Sequence, residues 1–176
     1  MKKLIVVTLV ALLLAGCGST AVKTGLGHTI SIAKSANATA DKEGLAQVDT
    51  VMAAVTFDES GKILGVRIDN AQVKVNFDAN GNITSNLSEK PQTKVELGDT
   101  YGMKKASKIG KEWYEQIAEL EKWMVGKTVD QVKAMKTKKV DDSHPHVPDE
   151  ADLTSKVTVS VEDYIFAVEE ALKNAK

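Results

Sequence analysis

A hydroxyl-rich stretch near the carboxyl end of the chain, residues 152–160, has the residue types to hold a phosphate-bearing ligand. It reads Asp-Leu-Thr-Ser-Lys-Val-Thr-Val-Ser and lies directly before an amphipathic segment. The first amides of a helix lack intrahelical acceptors and carry partial positive charge, so a loop that leads into them can bind an anion. A hydroxyl in such a loop can hold a phosphate or carry it covalently. This stretch is therefore the best candidate for a functional site.

The segment that follows is predicted to be a helix with Ser160 as its cap. Serine is a favoured N-cap, and Asp163 stands three residues later, where a carboxylate can return the hydrogen bond. Apolar side chains then recur on one face, at Val161, Tyr164, Ile165, Val168, Ala171, Leu172 and Ala175. We expect this C-terminal helix to pack on a sheet.

A sheet is predicted from the first half of the chain, where apolar side chains alternate with a period of two. The two apolar sets are Val51, Ala53, Val55 and Phe57, and then Leu64, Val66 and Ile68. The residues between them, 58–62, have turn chemistry, so the two strands should form an antiparallel hairpin. Residues 78–82, with Asn80 before Gly81, predict a second turn.

Two further features of the sheet are expected from the same alternation. His28, Ile30 and Ile32 predict a short half-buried strand in a folded region that begins near Leu26. Beyond Ile68 the apolar positions change from even to odd numbers. Because a strand keeps its faces only with an unbroken period, Asp69 and Asn70 should mark a bulge or bend.

The apolar period becomes helical after Gly102. Ala106, Ile109, Trp113, Ile117, Leu120 and Met124 lie three or four residues apart and predict a middle helix, with Trp113 in the core. Thr128 and Gln131 form a capping-box pattern for a short helix that follows. The fold class predicted is α+β, with an antiparallel β-sheet packed by a middle helix and a C-terminal helix.

The amino terminus has the three regions of a bacterial lipoprotein signal in order. Two lysines precede an apolar run from Leu4 to Leu14, which is too short to span a bilayer, and small residues then lead to Cys17. We expect residues 1–16 to be a signal peptide, 17–25 a lipidated tether and 26–176 a single domain. Lipid on Cys17 would anchor the protein to the extracytoplasmic face of the cell membrane.

Composition excludes several classes of function. The chain has 23 basic and 24 acidic residues, a balance that does not predict nucleic-acid binding. Cys17 is the only cysteine, which excludes intrachain disulfides and cysteine-ligated clusters. The sequence also has no nucleophile-elbow, His-Glu-x-x-His or complete phosphate-loop motif. We therefore expect a protein that is not an enzyme.

One alternative site lies in the charged linker 136–151. His144 and His146, with Asp141 and Asp142 nearby, have side chains that can bind a transition metal. Pro145 restricts the two histidines, and no third histidine or cysteine lies close in sequence. A solvated loop is the preferred interpretation, and no metal ligand is predicted.

The order of these elements resembles the FMN-binding-domain family of exported lipoproteins. The resemblance is carried by the hairpin around residues 57–63, by the middle helix that ends in Gly-Lys-Thr128, and by Asp-x-x-Ser-x-x-Thr before the last helix. Members carry Asp-x-x-Ser-Gly-Ala-Thr, and a flavin transferase esterifies FMN through its phosphate to the threonine. The resemblance implies that Asp152, Ser155 and Thr158 bind FMN, with attachment at Thr158.

The chain departs from the family motif at Lys156 and Val157, which replace glycine and alanine. Lysine adopts positive φ only at a cost, and valine adds bulk beside the acceptor hydroxyl. We therefore expect altered or non-covalent ligand binding by a lipid-anchored binding or electron-carrier module that meets a redox partner. The alternative is a structural or interaction lipoprotein that keeps the fold without flavin.

Overall fold

The computed structural model describes residues 21–176, and within them it confirms the α+β class. Three antiparallel strands form one sheet in the order β1-β2-β3: β1 is Lys23–Ser31, β2 is Gly44–Phe57 and β3 is Ile63–Phe77. Four helices follow: α1 is Lys94–Leu97, α2 is Trp113–Met124, α3 is Val129–Lys133 and α4 is Glu162–Lys173. A two-residue ladder between β4 (Thr137–Lys138) and β5 (Val147–Pro148) lies between α3 and α4. The predicted signal peptide and Cys17 lie outside the described residues.

The β2–β3 hairpin confirms the predicted pairing and corrects the position of its bulge. All four alternating residues of β2, from Val51 to Phe57, are buried. The register shift falls between Thr56 and Phe57, beside the turn, and not at Asp69 and Asn70, through which the pairing runs without interruption. Beyond Ile68, strand β3 extends past the apolar core, so its inward-facing positions no longer need apolar side chains. The next inward-facing residue, Asn70, is polar and lines a cavity.

Strand β1 begins earlier than predicted and turns a different face inward. It starts at Lys23, so the expected tether 17–25 overlaps the folded region. Gly25 and Gly27 face the core, whereas His28 and Ile30 are exposed, which corrects the predicted half-buried face. The glycines are required because α4 lies so close that a Cβ at either position would overlap a helix carbonyl oxygen. Backbone hydrogen bonds between Thr24 and Lys176 join this strand to the carboxyl end.

The middle helix is shorter than its apolar period predicts. Helix α2 begins at Trp113, after 3-10 turns over Gly98–Tyr101 and Met103–Lys105. Gly110 has φ of +63°, a left-handed conformation that an α-helix cannot contain. Glu112 instead caps the helix in a capping box with Glu115. The capping box that starts α3, from Thr128 to Gln131, is confirmed.

Helices α2 and α4 cover the inner face of the sheet and bury one continuous core. The predicted stripe of α2 is buried from Trp113 onward, as are Val168 and Ala171 of α4. Trp113 is 1% exposed and donates its indole N–H to the hydroxyl of Tyr164 at 2.9 Å, which confirms its predicted core position. Within residues 21–176, no helix is long and apolar enough to cross a membrane.

Candidate functional site

Residues 151–156 form hydrogen-bonded turns, and two apolar side chains fix the stretch 152–160 to the core. Leu153 and Val157 are buried, and the amide of Val157 donates to the carbonyl of Leu153 at 2.9 Å. The three predicted site residues are consequently separated. Asp152 and Ser155 are exposed, while Thr158 is half-buried at the end of the turn. The structure therefore places one predicted residue, Thr158, in a concave position.

The two residues that differ from the family motif are accommodated without backbone strain. No residue other than glycine has positive φ between residues 21 and 176, so Lys156 does not need the conformational freedom of glycine. Its ammonium points towards α2 and lies 3.4 Å from a carboxylate oxygen of Glu119. Val157 is fully buried and supplies core volume that alanine would leave empty.

Thr158 is held by a buried glutamine of α2. The Oε1 atom of Gln116 accepts the backbone N–H of Thr158 at 2.8 Å and its hydroxyl at 3.2 Å. The amide nitrogen of Gln116 donates to Ser107 Oγ at 3.2 Å and to the carbonyl of Lys111 at 3.3 Å. Since Gln116 has no solvent exposure, this network fixes the Thr158 backbone and directs its hydroxyl hydrogen inward.

A cleft of about 330 Å³ opens beside Thr158, between the segment before α2 and the β4–β5 ladder. We call it the Thr158 cavity. Its polar lining comes from Ser107, Lys108, Lys138, Asp141, His144, Thr154 and Thr158. Hydroxyl groups, two ammonium groups and an imidazole can bind phosphate, and the single carboxylate, Asp141, is hydrogen-bonded to His144.

The cations of the Thr158 cavity differ in how they are paired. Lys138 lies 2.7 Å from Asp149, and His144 lies 2.8 Å from Asp141. The hydrogen bond to His144, together with the backbone N–H of Ser143, holds the pKa of the Asp141 carboxyl below its usual value. Lys108 forms no ion pair with any carboxylate of residues 21–176. It is thus the cation of this cleft that is available to an anionic ligand.

The predicted cap of the last helix is wrong. Helix α4 has Val161 at its N-cap, with no side-chain hydrogen bond there. Ser160 instead accepts the backbone N–H of His146 at 3.2 Å and ties the linker to the start of the helix. The amides of α4 do not line the Thr158 cavity, so the predicted anion site at this helix start is not the geometry observed.

The two linker histidines have separate carboxylate partners. His144 bonds to Asp141, and His146 Nε2 lies 3.1 Å from Glu162. No group of three or more histidine, cysteine or acidic side chains converges as a metal-binding set in the described part of the chain. The linker carries surface ion pairs instead.

Sequence reasoning did not identify Gln116, Lys108 or Lys138 as site residues. The position of Gln116 could have identified it, because this polar residue lies on the apolar stripe of the helix, three residues after Trp113 and four before Leu120. A polar residue at a core position needs buried hydrogen-bond partners. The two lysines left no such signal, since their approach to Thr158 depends on how distant segments pack.

Comparison with known proteins gives one short similarity. A segment of 41 residues is 51% identical to a chlorophenol reductase of Desulfitobacterium hafniense. The matched segment is 23% of this chain and 12% of the length of that protein. No known family model and no solved structure matches the chain. The resemblance to the FMN-binding-domain family accordingly stays a prediction.

Proposed function

We propose that the protein is a lipid-anchored, extracytoplasmic binding or electron-carrier module that holds FMN by its phosphate in the Thr158 cavity. The observation that carries this proposal is the position of Thr158, whose half-buried hydroxyl lines the same cleft as Lys108 and Lys138. A phosphate dianion suits this combination, because the ammonium groups supply charge-assisted hydrogen bonds and Ser107, whose Oγ accepts from Gln116, keeps its own hydroxyl hydrogen to donate. FMN would supply electron transfer when bound.

Non-covalent retention is favoured over an ester at Thr158. Val157 fills the core beside the acceptor position, and Gln116 already accepts the threonine hydroxyl hydrogen. A phosphate in the cleft would still be held by the free ammonium of Lys108. The protein then binds and carries its ligand without acting as an enzyme, and a flavin transferase is not needed for loading.

Titration with FMN tests the proposal directly. Purified protein should change the flavin absorption spectrum, and Lys108→Met should weaken FMN binding by about tenfold, the value of one charge-assisted hydrogen bond. Lys90→Met is the matched control, because Lys90 is exposed and lies outside the cavity. Equal FMN affinity in wild-type protein and Lys108→Met would refute binding of the phosphate in this cleft.

Mass spectrometry after co-expression with a flavin transferase separates the two modes of attachment. We expect no added mass of flavin mononucleotide. If such a mass appears, Thr158→Ala should abolish it, and Thr154→Ala should keep it. Thr154 is a useful control because it lines the same cleft while its hydroxyl donates to the carbonyl of Glu150 at 2.7 Å.

A structural or interaction lipoprotein is the second candidate function. It is favoured by the contact with Gln116, which gives the Thr158 hydroxyl a role in folding without any ligand. This candidate predicts that FMN does not bind, and that Thr158→Val lowers the free energy of unfolding by about 1 kcal/mol. Detection of FMN binding that depends on Lys108 would decide against it.

A further inference from the structure

Strand β1 presents a row of large apolar side chains to the outside of the sheet. Gly25 and Gly27 face helix α4, so the even-numbered residues of the strand project from the opposite face. Four large apolar residues at even-numbered positions in and beside the strand are between 52% and 67% exposed: Val22, Leu26, Ile30 and Ile32. We call these four residues the β1 ridge.

The β1 ridge stands above its neighbours on the sheet. The residue of β2 opposite Leu26 is Ala54, and the residue opposite Ile30 is Thr50. Both are smaller than their partners, so the ridge side chains protrude. Apolar residues with a period of two are typical of a strand with one buried face, and the described residues do not cover this one. A contiguous exposed apolar patch of this kind marks an interaction surface.

The free edge of β1 is occupied, so another strand cannot pair along it. At its start the strand is hydrogen-bonded to the carboxyl end of the chain. The side chain of Asn174 donates to the carbonyl of Leu26 at 3.0 Å, and a carboxylate oxygen of Glu170 accepts the N–H of His28 at 2.6 Å. Open strand edges bind further strands, and these bonds prevent that mode of association. Contact through the ridge side chains remains.

The β1 ridge lies close in the chain to the predicted lipid anchor. Lys23, the first residue of β1, follows Cys17 by six residues. A chain of that length reaches roughly 20 Å when it is fully extended. With acyl chains on Cys17 held in a bilayer, the start of the strand therefore stays near the membrane surface.

A bilayer suits the ridge better than a second copy of the chain does. A stable protein interface needs about 800 Å² and about 20–30 residues on each side. One row of four apolar side chains is much smaller. A lipid-anchored domain does not need such an area, because the anchor already holds it at the surface and a weak second contact is enough to orient it.

We propose that the β1 ridge docks the domain on the bilayer that holds its lipid anchor, with the apolar side chains among the phospholipid headgroups. This inference rests on the lipid anchor of the proposed function. Arg67 lies opposite Ala54 on the same face, and its side chain is 84% exposed, so it can meet a lipid phosphate. The Thr158 cavity is lined by residues outside β1, β2 and β3, so docking leaves it open to a ligand or partner.

Fluorescence from one labelled cysteine tests this orientation in the full-length, lipidated protein. Cys17 is the only cysteine, and its lipidated sulfur is a thioether that does not react with a thiol label. Ile30→Cys carries nitrobenzoxadiazole, whose emission rises in apolar surroundings. In vesicles of phosphatidylethanolamine and phosphatidylglycerol, this emission should exceed that of the same label on unlipidated Cys17→Ser protein in buffer. A lipid with a nitroxide on its acyl chain should quench it.

Phe166 provides the matched control, because it is a large apolar residue of α4 that is 48% exposed. A label on Phe166→Cys should remain in water. In the labelled Ile30→Cys protein, Leu26→Asp should remove both the rise and the quenching, since a carboxylate is unfavourable among acyl chains. Phe166→Asp should keep both. Circular dichroism checks the fold of each variant, and Leu26→Thr, which retains strand preference, should weaken the quenching in the same direction.

Sedimentation with the vesicles separates the anchor from the docking. If the protein does not sediment, the lipid anchor of the proposed function fails and docking fails with it. If it sediments while the label at position 30 remains in water, docking alone is overturned. A label that is shielded from water but not quenched by the nitroxide lipid would assign the ridge to a second copy of the chain and would also overturn the proposal.

Discussion

Lys94 carries a charge that the fold keeps largely from water. Its ammonium lies 4.9 Å from the centre of the Tyr101 ring and 5.2 Å from that of Trp113, and it forms no ion pair within residues 21–176. Desolvation disfavours the charged form, which is why the pKa falls from 10.5 to about 8. In the unfolded chain the pKa returns to its ordinary value. Because folding lowers the pKa of Lys94, the buried ammonium decreases the free energy of unfolding at neutral pH. Between the two pKa values, folding releases a proton from Lys94.

Lys94→Met should therefore stabilise the protein below pH 8, by roughly 2–3 kcal/mol. Between pH 8 and 10.5 the unfolded state of the wild type binds more protons at Lys94 than the folded state, so the contribution of Lys94 to stability rises with pH. The advantage of Lys94→Met should shrink through this range. Urea unfolding of both proteins at pH 7 and pH 10 measures the difference.

Lys90→Met is the control for this experiment, since Lys90 is exposed. Its free energy of unfolding should follow that of the wild type at both pH values. A difference between Lys94→Met and wild type that is the same at pH 7 and pH 10 would contradict the proposed cost of burying the ammonium.

At the residue level, the sequence predicts that Asp152, Ser155 and Thr158 bind one cofactor, and the structure places only Thr158 in a cleft. Asp152 and Ser155 satisfy the same spacing and are nevertheless exposed, because Leu153 and Val157 direct the other side of the turn into the core. Which side of a turn faces inward depends on tertiary packing, and a motif does not contain that information.

At the level of elements, the contact between β1 and α4 depends on two residues without side chains. Gly25 and Gly27 lie beneath Ala171 and Ala167, so the helix backbone rests almost directly on the strand. Apolar residues at even-numbered positions predict the wrong core face for β1, because the buried positions are the odd-numbered ones. The inward-facing residues of β1 are Gly25 and Gly27, and they are buried because helix α4 packs directly on the strand backbone.

Gly27→Ala should destabilise the protein by roughly 3 kcal/mol or more, because the added Cβ would displace the backbone of α4. Thermal and urea unfolding would measure this loss. Gly65→Ala is a matched control in β3, where the added Cβ meets no atom within 4 Å and φ is not left-handed. That control should change stability by less than about 1 kcal/mol. Equal effects of the two substitutions would show that the strand and the helix are not in close contact.

The hairpin was predicted well and the middle helix less well, for a physical reason. Alternation from Val51 to Phe57 is a local property that pairing preserves. The stripe from Ala106 to Met124 also has a helical period, but Gly110 adopts positive φ and Glu112 supplies a cap two residues later. Apolar spacing does not reveal such an interruption, because Ala106 and Ile109 keep the helical spacing while they lie in turns outside the helix.

At the level of the whole molecule, the lipid anchor is a separate prediction that residues 21–176 do not test. An inhibitor of the lipoprotein signal peptidase should leave residues 1–16 attached, which gives a larger protein on gels. Cys17→Ser should move the protein from the detergent phase to the aqueous phase, because two acyl chains would no longer hold it in the membrane. Unchanged size and partitioning in both experiments would refute lipidation at Cys17.

The hydrogen bonds between Thr24 and Lys176 also determine the order in which the chain can finish folding. The first strand is covered by the last helix, so its inner face stays open until the carboxyl end has been synthesised and released. A chain of this kind cannot complete its fold until its last helix is free to pack on the first strand. Its topology therefore delays the native state, and the hydrogen bonds of Lys176 are among the last to form.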